Sequence, residues 1–132
     1  KEAAEEESNF QVLYPDDASL KDKIHAVATK VYGADGVEYT AAADKQLANY
    51  TAQGFDNLPV CIAKQHLSLS HDAKLKGAPT GWTLPVREVR ASVGAGFVYP
   101  ICGDMRTMPG LGTGPAAMQI DIDDNGDIVN LS

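Results

Sequence analysis

The stretch Leu58–Ala63, with the sequence LPVCIA, is apolar almost throughout and decides the fold class of this chain. A run of this kind is typical of a strand that is covered on both faces of a sheet. We therefore expect a buried strand here, with Cys61 as a small core residue rather than a catalytic thiol. The segments on either side indicate what packs on this strand.

The segment upstream begins with a predicted helix. Ser19 can cap its N-terminus, with Asp22 three residues later as a weak capping-box partner. Gly33 stands at the position where a left-handed residue commonly ends a helix. Its apolar residues fall on one face at helical spacing, and they are Leu20, Ile24, Val27 and Val31.

A strand and a second helix follow. Val37–Tyr39 is predicted to be a short strand, and Thr40 can cap a helix that runs from Ala41 to about Gln53. Gly54 closes this helix, and its inner face is formed by Ala43, Leu47 and Tyr50. Alternation of helix and strand is typical of α/β architecture.

The first residues of the chain carry weaker signals. Lys1–Ser8 contains strong helix formers, yet most of its residues are acidic, so it fits either the last turns of a helix or a solvated tail. Phe10–Tyr14 (FQVLY) is predicted to be extended, and Pro15 stops it.

The pattern changes downstream of Ala63. Lys64–Gly77 is polar and is predicted to be a long surface loop. Trp82, Leu84 and Val86 alternate with polar residues or Pro85, which indicates a strand with one inner face and places Pro85 at an edge or a bulge. The remaining predictions are a strand at Phe97–Cys102, an ordered loop over residues 103–119 and a terminal hairpin through Asn125-Gly126.

These elements predict an α/β to α+β fold. Two helices on a mixed sheet occupy residues 1–64, and a strand-rich and loop-rich half occupies residues 65–132. With 132 residues, the chain has the length of one domain.

The composition limits the classes of function. The net charge of −7 disfavours binding to nucleic acid and to anionic membrane surfaces, and no apolar run is long enough to span a membrane. The chain starts at Lys1 without a secretory signal, so we expect a cytosolic protein that was processed or cut from something longer. The two cysteines, Cys61 and Cys102, are then expected to be reduced thiols.

The strongest metal pattern is Asp121–Ser132 (DIDDNGDIVNLS). Asp121, Asp123, Asn125 and Gly126 fill the first diagnostic places of a calcium loop, but Ser132 stands where a bidentate Glu is needed. A hairpin through Asn125-Gly126 explains the same residues, so we expect no metal here.

Three further constellations are weaker. Gly110–Gly114 resembles a phosphate-binding glycine loop but leads into Pro115, and no GxxxxGK[ST] motif occurs in the sequence. Cys61, His66 and His71 do not have a usual zinc spacing. The charged residues Arg87, Glu88 and Arg90 fit either a surface that meets an anionic ligand or another subunit, or a solvent-facing ladder of ion pairs.

Seven stretches, in this order, resemble the C-terminal part of formate–tetrahydrofolate ligase. The similarity runs from about Ser8 to the end, and no single stretch is decisive. They are Tyr32–Glu38 (YGADGVE), Gln53–Lys64 (QGFDNLPVCIAK), Leu67–Ser70 (LSLS), Pro79–Trp82 (PTGW), Val86–Phe97 (VREVRASVGAGF), Thr107–Leu111 (TMPGL) and Ile120–Asp123 (IDID).

The resemblance implies a cytosolic enzyme of one-carbon metabolism that joins formate to tetrahydrofolate at the expense of ATP. It implies a formyl phosphate intermediate, ATP with Mg²⁺, and a homo-oligomer that is commonly a tetramer. The phosphate-binding loop and the residues that stack the pterin would lie in the N-terminal remainder of the ligase. We therefore expect this chain alone to have no cofactor, no catalytic residue and no turnover.

The resemblance also suggests where the chain meets a ligand. A wall of the nucleotide or folate cleft is expected at Thr80-Gly81, after Pro79, and at Gly94-Ala95-Gly96, since glycines permit close approach of a ring or phosphate. Turns that only join strands explain both places equally well. Gln65 stands where the family usually has Thr, which puts the geometry of the Lys64–Ser70 loop in doubt.

An alternative interpretation, from another class of function, is that the chain is a structural or assembly module. Its interface would be the exposed side of Trp82–Arg90, and it would bind no ligand.

Overall fold

A computed structural model of the chain describes residues 2–103, 114 and 118–130. The α-helices are α1 (Glu2–Glu5), α2 (Leu20–Ala26) and α3 (Ala41–Ala52), with a π-helical turn at Val27–Val31 and a 3₁₀ turn at Val93–Ala95. The strands are β1 (Gly36–Tyr39), β2 (Thr83–Ser92), β3 (Phe97–Cys102), β4 (Asp121–Ile122) and β5 (Ile128–Val129).

The first three strands form one mixed sheet in the order β1-β2-β3. β1 pairs with β2 in parallel, and β2 pairs with β3 in antiparallel. Helices α2 and α3 pack on one face of this sheet, which we call the inner face, and share one apolar core with it. The predicted α/β to α+β fold is confirmed.

Both predicted helix caps are present. The Asp22 N–H donates to Ser19 Oγ at 3.1 Å, and the Ala43 N–H donates to Thr40 Oγ1 at 3.1 Å. Gly33 and Gly54 follow the helices with positive φ values of 72° and 77°, a backbone region that favours glycine. These boundaries are local features, and the sequence predicted them closely.

The buried face of the first helix differs from the prediction. Leu20 and Ile24 are buried as expected, but Val31 is 53% exposed and Ala28 is fully buried. The cause is the π turn, in which the Tyr32 N–H donates to the Val27 carbonyl at 3.3 Å, five residues back. The extra residue in this turn rotates the end of the helix and turns Val31 away from the core.

Lys23 is the largest fully buried side chain among the described residues. Its Nζ donates to the carbonyls of Asp16, Asp56 and Leu58 at 2.6, 2.7 and 3.2 Å. These three bonds satisfy the buried ammonium and tie α2 to the chain on both sides of it.

The predicted strand at Leu58–Ala63 pairs with β3 in parallel through isolated bridges rather than as a regular strand. The Cys61 N–H donates to the Val98 carbonyl at 2.9 Å, and the Ala63 N–H donates to the Pro100 carbonyl at 2.8 Å. The expected cover on both faces is wrong, because Cys61 is exposed while Val60 and Ile62 pack on the core. Among the described residues, helices pack only on the inner face.

Pro85 lies in β2, which is the central strand of the sheet, so the edge alternative is wrong for the strand as a whole. The alternative of a bulge is nearly correct, since the register with β3 shifts between Val86 and Glu88, just after Pro85. Within the part of the chain that the structure describes, pairing with β3 begins at Val86, so at Pro85 β1 is the one neighbour of the strand.

The remaining predictions have mixed outcomes. Phe10–Tyr14 forms no strand among the described residues, and Phe10 is 81% exposed. The terminal hairpin is confirmed, with β4 and β5 antiparallel and Gly126 at a φ of 88°. Most of the predicted loop at 103–119, with most of the glycine-rich stretch 110–114, lies outside the described residues.

No helix in the described part of the chain is long and apolar enough to cross a membrane.

Candidate functional site

The turn at Pro79–Trp82 is fixed from its Trp82 end. Trp82 is 6% exposed, its Nε1–H donates to the Pro79 carbonyl at 2.9 Å, and its own carbonyl accepts the Asp35 N–H at 2.8 Å. Gly81 has a φ of 73°, and a Cβ built on it would meet nothing within 4 Å. Thr80 and Gly81 are therefore held by a buried anchor and presented to solvent.

An open pocket of about 390 Å³ is lined in part by His71, Lys74 and Gly103. The rings of His71 and Trp82 are 6.1 Å apart between centroids. In the described structure the buried Nδ1 of His71 has no hydrogen-bond partner. This nitrogen is an unused polar group close to the anchor of the turn.

The second candidate wall, Gly94-Ala95-Gly96, is the tight connection between β2 and β3. Gly96 has a φ of 76°, and its N–H donates to the carbonyls of Ser92 and Val93 at 2.9 and 3.1 Å. The turn is exposed at Gly94 and Ala95. Its conformation is what a short connection between antiparallel strands requires.

The structure does not bring the two candidate walls together. They lie at opposite ends of β2, whose ten residues span roughly 30 Å at the usual rise of an extended chain. Within this chain, a ligand of the size of a nucleotide cannot contact Thr80 and Gly94 at the same time. Their assignment to a ligand cleft stays a prediction.

Lys64 organises the loop that precedes the Pro79–Trp82 turn. Its Nζ donates to the carbonyls of Gln65, Ser68 and Ser70 and lies 5.0 Å from the centroid of the Tyr32 ring. Burial lowers the pKa of Lys64, although the nearby Cys102 acts in the opposite direction. The position of its ammonium group indicates a structural role.

Gln65 completes this loop. Its Oε1 accepts the N–H groups of Leu67 and Ser68 at 2.6 and 3.1 Å, and its Nε2 donates to the carbonyls of Ser68 and Ser70. The departure from the family pattern at Gln65 therefore falls on a residue that binds the loop backbone at four points. Ser68 and Ser70 are buried and share a hydroxyl–hydroxyl bond of 2.9 Å.

The two thiols have different environments. Cys61 is exposed, whereas Cys102 is 1% exposed, and burial raises the pKa of Cys102 to about 12. Burial also raises the pKa of Tyr32, with smaller contributions from Cys61 and Cys102. Both cysteines are free thiols in the structure. Cys102 therefore stays protonated at neutral pH and is a poor nucleophile.

The sequence patterns that suggested metals do not assemble in the described residues, where no group of three His, Cys, Asp or Glu side chains is placed to hold an ion. In the terminal hairpin, Asp123 Oδ1 accepts the N–H groups of Asn125 and Asp127, each at 2.9 Å. These backbone bonds lower the pKa of Asp123. The turn explains the acidic pattern.

The charged residues on β2 form exposed ion pairs. Glu88 Oε1 lies 3.4 Å from Arg87 Nη2 and 3.1 Å from Arg90 Nη2, and both arginine side chains are close to half exposed. Exposed pairs of this kind contribute little to stability. The structure therefore contains the solvent-facing ladder, and the alternative of an interface remains a proposal.

Sequence reasoning missed Lys23 and the π turn, and it noted Gln65 without predicting its bonds to the loop backbone. From sequence alone, a lysine beside an apolar stripe is predicted to lie on the surface. The carbonyls that accept from Lys23 are 7 to 35 residues from it in the sequence, so its burial is not predictable from its neighbours. Gln65 had a signal, since it departs from the family pattern. The spacing of the apolar residues gives no signal for the π turn.

Comparison with known proteins gives matches along the whole chain. A family model described as formate–tetrahydrofolate ligase matches residues 1–132. The chain is 69% identical over 131 residues to the formate–tetrahydrofolate ligase of Saccharopolyspora erythraea and 60% identical over 129 residues to that of Cutibacterium acnes. A third relative, formate–tetrahydrofolate ligase 3 of Rubrobacter xylanophilus, is 61% identical over 123 residues.

These matches cover 99%, 98% and 93% of the chain, but only 23%, 23% and 22% of the three relatives. The chain thus spans less than a quarter of the length of the curated relatives it matches. With a family match over all its residues, the chain belongs to the formate–tetrahydrofolate ligase family.

Proposed function

We propose that this chain is one part of an ATP-dependent formate–tetrahydrofolate ligase that makes 10-formyltetrahydrofolate. The family match over residues 1–132 carries this proposal. In the proposed reaction, phosphoryl transfer from ATP to formate gives formyl phosphate, and N10 of tetrahydrofolate attacks its carbonyl carbon and displaces phosphate. Mg²⁺ would accompany the ATP.

We place the groups that handle phosphate in the rest of the parent ligase. Phosphoryl transfer needs a metal, a lysine and backbone donors around the γ-phosphate, and the sequence has no GxxxxGK[ST] motif. The two lysines that the structure buries or half-buries, Lys23 and Lys64, are engaged by main-chain carbonyls. Formation of 10-formyltetrahydrofolate by the purified 132-residue chain would contradict this placement.

The role we propose for this chain is to supply a wall of a ligand cleft at Thr80-Gly81. The Trp82 anchor holds this turn in place, and the exposed backbone at Gly81 has free space where a side chain would stand. A planar ring can therefore approach the backbone closely while the Thr80 hydroxyl binds a polar edge. Gly94-Ala95-Gly96, at the far end of β2, would meet a different ligand or a different segment of the parent.

The test is to replace Thr80 by Ala in the full parent ligase and to measure KM for ATP and for tetrahydrofolate. We expect the KM of one of these two substrates to rise by about tenfold, the cost of one hydrogen bond, with kcat little changed. The matched control is Thr51→Ala, at an exposed threonine in α3. Unchanged KM values for both substrates would contradict the proposed wall.

The other expectations from the family resemblance are part of the same proposal. We place the parent in the cytosol as a homo-oligomer, commonly a tetramer, in which this chain contacts the remainder of its own polypeptide. The expected position of the chain at the C-terminal end of the parent stays a prediction, which the complete gene sequence tests.

An assembly module that binds no ligand is the second candidate, favoured by the exposed ion pairs of Arg87, Glu88 and Arg90. Trp82 is the single tryptophan of the 132 residues, so its fluorescence can be used to distinguish the two functions. Saturable quenching of its fluorescence by nucleotide or folate supports the cleft wall. Dimerisation that depends on concentration, without any response to ligand, supports assembly.

A further inference from the structure

The mixed sheet has a second face, opposite to the helices, which we call the outer face. The register pairs Arg90 with Tyr99 and Ser92 with Phe97, whereas Val89 pairs with Pro100 and Ala91 with Val98. Val89, Val98 and Pro100 are buried on the helix side. Because side chains alternate along a strand, Glu88, Arg90, Phe97 and Tyr99 lie on the outer face.

Cys61 extends this face beyond β3. Val60 and Ile62 pack on the core, so alternation turns Cys61 to the outer side, level with Tyr99. The thiol is exposed, and the rings of Phe97 and Tyr99, 5.8 Å apart between centroids, are half-buried. We define the outer patch as Cys61, Glu88, Arg90, Phe97 and Tyr99.

This patch has the composition of a contact surface. Aromatic residues and arginine are enriched in protein interfaces, and here they stand side by side, with Arg90 opposite Tyr99. The neighbouring strand Leu58–Ala63 is apolar on both of its sides and pairs in parallel with β3. Strands in parallel pairing are usually covered on both faces, and the described helices cover only the inner one. On the outer face Ile101, opposite Glu88, is 4% exposed, so the part of this face that lacks a cover is the part at Cys61, Phe97 and Tyr99.

We propose that the outer patch is an internal interface of the parent ligase, covered by the remainder of the same polypeptide. The length of chain outside the structure favours this occupant, since the chain spans only 23% of its relatives and more than three quarters of their length is left to provide a cover. The inference rests on the proposed function in one respect only, that this chain is one piece of such a ligase.

The first test uses site-resolved thiol labelling of the full parent ligase, with the modified peptides quantified by mass spectrometry. A variant carrying Val31→Cys supplies a matched reference in the same molecule, because Val31 is 53% exposed and lies outside the patch. We expect Cys61 to react at least about 100-fold more slowly than the reference, since modification would require local opening of the interface. Equal rates at the two positions would overturn the proposal.

The second test identifies the occupant. A photo-crosslinking benzoylphenylalanine replaces Cys61 in the full parent ligase, and a matched protein carries it in place of Val31. We expect irradiation at position 61 to give crosslinks, mapped by mass spectrometry, to peptides of the same polypeptide outside the 132 residues, in a product that keeps the mass of a single chain on a denaturing gel. Crosslinks confined to the 132 residues would overturn the proposal. Products of doubled mass would show a second copy of the ligase on the patch and would overturn the proposal, as would the absence of any crosslink.

These results are independent of catalysis. A parent that protects Cys61 and crosslinks within one chain, but makes no 10-formyltetrahydrofolate, retains the interface and refutes the proposed activity. A parent that is active and leaves Cys61 as reactive as the reference retains the activity and refutes the interface.

Discussion

The segment from Ser19 to Gly54 and the segment from Leu58 to Gly77 are held together in different ways. The first consists of two capped helices around a short strand, and its caps bond residues three positions apart. The second contains no regular helix or strand in the described structure and depends on bonds from Lys64 and Gln65 to its own carbonyls and on pairing with β3.

The difference shows how side chains substitute for regular structure. In a helix the backbone satisfies its own polar groups, and a side chain is needed only at the ends. In the Lys64–Gly77 loop, the carbonyls of Ser68 and Ser70 accept from side chains instead. A single substitution should therefore cost more in the loop than a typical exposed substitution costs in the helices.

Lys23 joins the two segments, so its replacement tests the comparison most severely. Lys23→Met keeps much of the buried volume but leaves the carbonyls of Asp16, Asp56 and Leu58 without their shared donor. We expect the free energy of unfolding to fall by about 3 kcal/mol, measured by urea denaturation. The control is Lys30→Met, whose exposed ammonium contacts only the Leu13 carbonyl in the described structure. Equal effects of the two variants would contradict the structural role of Lys23.

Gln65→Ala sharpens the comparison inside the loop. It removes the oxygen that accepts the N–H groups of Leu67 and Ser68 and the amide nitrogen that donates to the carbonyls of Ser68 and Ser70. We expect a loss of about 2 kcal/mol in the free energy of unfolding and faster amide exchange at Leu67 and Ser68. Gln65→Thr should give a smaller loss, because a hydroxyl can still accept from one N–H group. Gln11→Ala, at an exposed glutamine, is the control.

The smallest expected effect is a pH dependence that originates at Cys102. The pKa of its thiol is raised to about 12, so above the pKa of an unfolded thiol only the unfolded chain releases the proton. Stability should therefore fall as the pH rises, by about 0.5 kcal/mol between pH 8 and 9. Cys102→Ala removes this part of the slope.

The measurement is urea denaturation of both proteins at pH 7, 8 and 9. The cavity left by Cys102→Ala lowers stability equally at each pH, so only the difference in slope reports on the thiol. Parallel curves for the two proteins would contradict a buried, protonated Cys102.

Features that depend on interactions between residues close in sequence were predicted correctly, and features that depend on distant residues were not. Ser19, Thr40, Gly33, Gly54 and the Asn125-Gly126 turn act over a few residues, and each was predicted where it occurs. The exposure of Cys61 was not predicted. An apolar run indicates that both faces of a strand are buried in the complete protein, but it does not show whether these 132 residues bury both of them.

The candidate site shows the same limit. The sequence identified Thr80-Gly81 and Gly94-Ala95-Gly96 from their residue types, but their separation by the full length of β2 depends on the sheet. The pocket beside His71 and the anchoring of Trp82 to Pro79 likewise require the fold. Residue types indicate which groups are able to meet a ligand, and the fold decides which of them meet the same one.

The π turn at Val27–Val31 makes one contact depend on the number of residues in a helix rather than on their identity. By widening the turn, it sets the direction in which Tyr32 leaves the helix and meets the Lys64 ammonium. Deleting any one residue between Val27 and Val31 would restore regular α-helical winding, and the narrower turn would change the direction in which Tyr32 leaves the helix. At this turn, the loss of one residue is therefore expected to disturb the contact between Tyr32 and Lys64 more than an exchange of one apolar side chain for another.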